Sequence, residues 1–402
     1  MINKNKIKVL IIPSWYPPDG GGFFRDHAEA VNNEEFEVHV LVTRFLSITK
    51  NSLSRLLGSI KKRSETEGGV YVQRQGFIKI PLLTKQSLLL WKQVYVRQIN
   101  KYIAEFGKPD ILIVHSAMWA GIVARVISLK HKIPFILVEH RSLLVTGQHI
   151  TAPVLKSWQV AWLRDVYQSS DKIVPVSNSL IETIRTIAPG VEERITVIPN
   201  MIGPLFMPEF AGNKKRNVFV YISFGILEKR KGFRYLLEAF KMIIDNFEGN
   251  FQLRIGGRGS EAESLQKYAG QLKISDKVFF LGRVPRELVR KEMEGANVFV
   301  LPSLSESFGV VLIEAMATGL PVISTRSGGP EFIINSSNGL LVDPGNSVEL
   351  YNAMSEIYLG YKKYDSKRIR FEVLEKFGPE KIALKYHQLI KSLLNEQNRT
   401  KK

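Results

Sequence analysis

The chain has 402 residues, more than one hydrophobic core usually serves, so two domains of about 200 residues each are expected. It contains no cysteine, which excludes disulfides, thiolate metal sites and cysteine nucleophiles and suits a reducing compartment. The formal net charge is +18, and because no helix-turn-helix, RNP-like or zinc-finger pattern accompanies it, a nucleic-acid partner is not expected.

The opening residues join basic side chains to a short apolar run, IKVLIIP, interrupted by Lys8 and closed by Pro13. This reads as a first buried strand and not as a leader peptide, and no apolar run reaches the roughly 18 to 20 residues of a spanning helix. After it, SWYPPDGGGFFRDHAEAV carries Gly20, Gly21 and Gly22 ahead of a helix. Glycine lets a backbone approach a ligand closely, although a tight turn without a ligand uses the same residues.

From Arg44 to Ala104 there are 12 Lys and Arg against Glu65 and Glu67 alone. Leu53, Leu56, Leu57 and Ile60 recur there at helical spacing beside Arg55, Lys61, Lys62 and Arg63, and the stretch from Lys85 sets Trp91 and Tyr95 among Lys92, Arg97 and Lys101. Basic amphipathic segments with interfacial aromatics predict adsorption to an anionic membrane surface. A solvated helix face is the alternative.

FEVHVLV, DILIVH, PFILVEH and KIVPVS continue the strands of the first half; VFVYISFG, FQLRIGG, KVFFLGR, VFVLPS and PVISTR make those of the second. Strands alternating with amphipathic stretches predict a parallel sheet covered on both faces, twice over, with ligands beyond the carboxyl ends of the strands. His115 and His140 close two of these strands, where a ligand-facing or a structural role is open. The aperiodic stretch over 203–214 is the expected linker.

In the second half, Lys229, Arg230 and Lys231 follow a strand and precede a helix, a place where cations can neutralise a departing diphosphate without a metal. SESFGVVLIEAMATGLP, from Ser305 to Pro321, predicts a helix from about Phe308 to Thr318 capped by Ser307, with Glu306 at its mouth and Glu314 nearly two turns inside. First-turn N–H groups at Gly309 and Val310 suit an anion, whereas the glutamates suit hydroxyls, as carboxylates bind ribose. Gly257-x-Gly259-x-x-Ala262 matches a dinucleotide fingerprint, but the next strand ends in Arg283 where an acid is wanted. From Gly378 an amphipathic helix is expected, fraying from Gln397.

The ordered series Glu306-x7-Glu314, SGGPEFI, NGLLVDPG, GILEKRKGFRYLLEAF, GGRGSEAESL, VPVSNSL, VIPN and the glycine triplet resembles glycosyltransferase family 4 over nearly the whole chain. The resemblance implies an α/β GT-B fold: two Rossmann-like domains facing a cleft, with 1–203 receiving the acceptor, 204–377 the nucleotide sugar, and 378–402 crossing back as a helix and tail. It implies that Glu306 faces the donor sugar, Glu314 the ribose, and Arg230 and Lys231 the diphosphate, with backbone donors at Gly309, Val310 and Val311. His140 would lie near the donor sugar, and Gly21 and Gly22 would form the ligand loop. One departure is Gly225-Ile226-Leu227, where many members place arginine after the glycine.

The implied activity is retaining transfer of a sugar from a UDP- or GDP-linked donor to a hydroxyl, on a lipid-linked or cell-surface polysaccharide precursor. No Asp-x-Asp occurs, so neither a metal nor a further cofactor is expected. The implied location is cytoplasmic, peripheral at the inner face of the membrane. The rivals are a catalytically silent sugar-nucleotide-binding protein, a sugar-nucleotide epimerase and an NADP-type dehydrogenase.

Overall fold

The computed structural model describes residues 6–17, 20–46, 62–78, 84–141, 155–208 and 217–400. In the first half, β1 (Ile7–Pro13), β2 (Phe36–Leu46), β3 (Arg63–Glu67), β4 (Val70–Ile78), β5 (Ile111–His115), β6 (Phe135–Glu139) and β7 (Lys172–Pro175) form one sheet, in the order β3-β4-β2-β1-β5-β6-β7. In the second, β8 (Phe219–Phe224), β9 (Phe251–Gly256), β10 (Val278–Gly282), β11 (Val298–Leu301), β12 (Val322–Thr325) and β13 (Gly339–Val342) form another, in the order β10-β9-β8-β11-β12-β13. Among the described residues the pairings are parallel except β3 with β4. The runs ILIVH, FILVE, VFVL and VIST are buried at every position, as in sheets covered on both faces. This is the two-domain α/β, GT-B architecture expected above.

The strand orders locate the site. In the first sheet, chain order reverses between β1 and its neighbour β5; in the second, between β8 and its neighbour β11. Loops leaving such neighbouring strands diverge to opposite faces and open a crevice at their carboxyl ends. The glycine triplet follows β1, His115 ends β5, Arg230 and Lys231 follow β8, and Glu306 follows β11. The candidate residues thus leave from the strands at the two switch points.

Three strands were not expected. β3, RSETE, is a largely exposed edge strand without apolar alternation, so nothing in its side chains marks it. It holds Arg63, which was expected in a basic helix; Leu53, Arg55, Leu56, Leu57, Ile60 and Lys61 lie outside the described residues. β4 and the short β13 complete the sheets. The expected linker is described only as far as Met207 and Pro208.

The second basic stretch is a helix, Thr84–Phe106, but its aromatics are not interfacial. Trp91 and Tyr95 are fully buried; Trp91 Nε1 donates to Thr43 O at 2.8 Å and Tyr95 donates to Leu41 O. Their rings pack onto the first sheet, and the exposed side carries Lys85, Leu89, Leu90, Arg97 and Lys101. No described helix is long and apolar enough to cross a membrane.

The helix Pro379–Thr400 returns to the first sheet's elements. His387 Nε2 lies 2.9 Å from Val31 O and its ring stacks on Phe36 with centroids 4.4 Å apart. Gln397 remains helical and donates to Asp171 at 3.3 Å, so the chain does not fray from this residue as expected.

Candidate active site between the two sheets

After β8 the chain makes one turn of 3-10 helix, Lys229–Lys231, before the helix Phe233–Asn246. Arg230 Nη1 donates to Ser305 O at 3.1 Å, and Leu304 N donates back to Arg230 O at 2.8 Å. Lys231 forms an ion pair with Glu306, which also accepts from Ser303 Oγ at 2.8 Å. The turn after β8 is thereby stitched to the loop after β11.

Glu306 and Glu314 are both buried, only 6% and 7% exposed. The helix runs Val310–Ala317 and is capped by Gly309 with φ of 94°, a left-handed conformation suited to glycine. Ser307, the expected cap, donates instead to His140 O at 2.7 Å and accepts from Ser177 Oγ at its own carbonyl at 2.6 Å. The helix accordingly starts two residues later than expected. No side chain caps this helix start, which leaves the amides at Gly309, Val310 and Val311 at the end of the helix where an anion is favoured.

Arg286, from the helix Arg286–Glu294, joins the two halves. Its Nη2 donates to Asp26 Oδ2 at 2.6 Å and to Glu314 Oε1 at 3.2 Å. Burial pushes Glu314 up to about 7, with Arg286 pulling it back and Asp26 adding to the rise. Burial works against the charge of Arg286, but the Asp26 bond and both carboxylate charges outweigh it and raise its pKa. A Cβ on Gly22 would stand 3.2 Å from Arg286 Nη1, so the glycine loop closes over this group. Gly21 caps the helix Gly22–Val31.

On the first sheet, His140 sits beyond β6, where the buried carboxylate of Glu139 orders the turn. It accepts from His140 N at 2.9 Å, Arg141 N at 3.1 Å, Ala117 N at 3.1 Å and Tyr167 OH at 3.0 Å. Satisfying the carboxylate this fully makes its burial tolerable. His115 lies between His27 and His140, with one ring nitrogen toward each.

Burial lowers the pKa of His27 and of His140 to about 3 and drives His115 well down. An unfolded chain protonates these rings near pH 6.5, so below that it binds more protons than the folded chain. Stability is therefore expected to fall as pH drops from about 6.5 toward 3. Each ring contributes up to about 1.4 kcal/mol per pH unit, opposed by Glu314 between about 4.5 and 7 and by Glu29, Asp171 and Glu331, which burial also raises. Denaturant midpoints at pH 7.5 and 5 check this; equal midpoints would show the rings are not held neutral.

The sequence placed Arg230, Lys231, Glu306, Glu314, Gly22 and His140 at the cleft, and the contacts above tie them together. It did not single out Asp26, His27, Glu139, Ser177 or Arg286. The dinucleotide fingerprint has another explanation: a Cβ on Gly257 would lie 1.8 Å from Gly225 O, and one on Gly259 2.1 Å from Leu227 O. Those glycines admit the chain's own backbone. No three His, Asp or Glu gather as metal ligands among the described residues.

Residues 208–369 match the glycosyl transferases group 1 model and residues 23–204 the glycosyltransferase family 4 model. A putative teichuronic acid biosynthesis glycosyltransferase, TuaC of Bacillus subtilis, is 26% identical over 374 residues, 87% of this chain and 88% of that one. Two solved structures share the fold: sucrose-phosphate synthase from Thermosynechococcus elongatus, with a TM-score of 0.81, 22% identity and 97% and 100% of the two chains covered, and Anabaena HepE in complex with UDP and glucose, with a TM-score of 0.73, 18% identity and 96% and 100% covered. With both halves matched in order and the cleft between them carrying the paired glutamates and cations, this chain belongs to the family-4 type of glycosyltransferases.

Proposed function

We propose that the protein transfers a hexose from a UDP- or GDP-linked donor to an acceptor hydroxyl with retention of configuration and without a metal. Residues 1–203 would receive the acceptor, 204–377 the donor, and 378–402 tie the two. The observation that carries this reading is the Lys231–Glu306 pair beside the uncapped amides of Gly309, Val310 and Val311. It sets a cation and a helix start where a diphosphate would leave, next to a carboxylate able to grip sugar hydroxyls. The HepE complex with UDP and glucose lends support from the same fold.

In this reading, negative charge grows on the departing phosphate oxygen as the sugar's anomeric bond breaks. Arg230, Lys231 and the amides stabilise it, Glu314 holds the ribose, and Glu306 and His140 orient the sugar. A panel of nucleotide sugars, scored by rise in melting temperature and by nucleotide release, tests the reading. One donor should raise the melting point and release nucleotide only with acceptor; a panel with no effect on either would refute it.

The acceptor is a lipid-linked or cell-surface polysaccharide precursor, consistent with the naming of TuaC. The cytoplasmic protein would meet it at the anionic inner face of the membrane through Lys85, Arg97 and Lys101 around Leu89 and Leu90. Sedimentation with acidic liposomes at low salt should pellet the protein and salt should release it. Equal recovery with and without acidic lipid would remove the membrane from the proposal.

A further inference from the structure

Three histidines from three elements form a hydrogen-bonded row. His27 Nδ1 lies 3.2 Å from His115 Nε2, and His115 Nδ1 lies 3.0 Å from His140 Nε2. The outer nitrogens, His27 Nε2 and His140 Nδ1, are buried with no hydrogen-bond partner. Phe24 packs on the rings of His115 and His140 with centroids 4.4 and 5.0 Å apart, and Tyr386 packs on His27 at 4.2 Å. Burial holds the rings neutral.

Counting protons restricts this row severely. A neutral imidazole carries one N–H, and each nitrogen-to-nitrogen contact needs one proton. If His115 is protonated at Nε2, it donates to a bare His27 Nδ1, so His27 carries its proton at Nε2. The bare Nδ1 of His115 must then accept from His140 Nε2–H. If His115 is protonated at Nδ1, every assignment reverses. Mixed assignments leave one contact with two protons or with none. The three rings are therefore all Nε2–H or all Nδ1–H.

The ends decide between the two. The all-Nε2–H state leaves a buried N–H on His27 without an acceptor, among the costliest of unpaired groups. The all-Nδ1–H state leaves only a bare lone pair there. At the other end it leaves an Nδ1–H on His140, which with His27, His115 and Asn200 lines a cavity of about 10 Å³, room for about one hydroxyl-sized group. The Asn200 side chain favours a proton on this ring, and no side chain does so for His27.

We propose that His27 and His115 are positioning residues that set the tautomer of His140, keeping it an Nδ1–H donor for a hydroxyl of the transferred sugar. This rests on the reading in which His140 faces the donor sugar. Neither His27 nor His115 has to touch the ligand.

The test uses the full chain labelled with 15N-histidine, with ring tautomers read from long-range 15N–1H spectra at pH 7.5. All three rings should be neutral and Nδ1–H; rings of opposite tautomer, or an imidazolium among them, would overturn the proposal with no substitution needed. His115→Phe keeps ring packing but cuts the row. It should release the fixed tautomer of His140 and lower kcat about 10- to 100-fold, with KM for the donor little changed; an unchanged kcat would overturn the proposal. His27→Asn places an amide N–H near the lost Nδ1–H. It should preserve the His140 tautomer, keep kcat within about 2-fold of the parent and stay at least about 5-fold faster than His115→Phe; if that variant does not fold, the comparison with the parent serves alone, and a larger loss with the tautomer kept would overturn the proposal. A loss equal to that of His115→Phe with the tautomer kept would mean packing, not proton placement, and would overturn it. One shared tautomer that responds to His115→Phe, with no nucleotide sugar turned over, would instead refute glycosyl transfer and leave the coupling standing.

Discussion

Replacing Arg230 and Lys231 together by alanine is expected to lower turnover about 100-fold or more, because losing even one donor to developing charge costs 10²–10³ in comparable sites. Both cations sit on the turn after β8, and no metal-ligand cluster lies among the described residues to take over their charge. Lys231 also offsets the buried Glu306 carboxylate, which without it keeps Ser303 Oγ as its side-chain donor. The double variant should therefore melt lower as well. Arg230→Ala alone separates the two effects, since Arg230 bonds a carbonyl and leaves the Lys231–Glu306 pair intact. It should reduce kcat without moving the melting temperature by more than a degree or two. Parental turnover in a folded double variant would place the phosphate site elsewhere.

Glu314→Ala is expected to weaken nucleotide binding about 10- to 100-fold, the worth of one or two hydrogen bonds to a charged group. Calorimetry with the bare nucleotide reads this directly, and unchanged affinity would end the ribose role. Arg286→Ala makes a sharper prediction. It strands Asp26 and Glu314, both buried, and breaking such a group by removing one partner costs about 3 kcal/mol. It also removes the pull that lowers Glu314, whose pKa should then climb above its present value of about 7. A protonated carboxyl is a poorer acceptor for a ribose diol, so the variant should bind nucleotide weakly at pH 7 and recover as pH rises toward 9. A pH-independent deficit would mean that Arg286 acts on the nucleotide by some other route.

What could be read beforehand follows from how local each signal is. β5, β6 and β11 announce themselves because parallel strands covered on both faces are near-continuous apolar runs. β3 does not, since RSETE is recruited by pairing with β4 and its side chains face water. The same division holds in the cleft. Glu306 and Glu314 share one short segment, and Arg230 and Lys231 are adjacent, so spacing exposes them. Asp26 and Arg286 meet across 260 positions and His27 and His115 across 88, distances at which a lone acid or histidine carries no mark. Trp91 and Tyr95 mislead for another reason: they lie among lysines in sequence, but on a helix they turn inward while the lysines turn out.

The chain passes between the two halves twice, and the passages lie side by side: Ile202 N donates to Phe377 O at 2.9 Å, just before the last helix departs toward the first sheet. Two backbone strands tied at one point act as a pivot. Any opening of the two halves that keeps this tie is greatest away from it, and one wide enough to admit a ligand there parts Arg286 from Asp26 and Ser307 from His140 together.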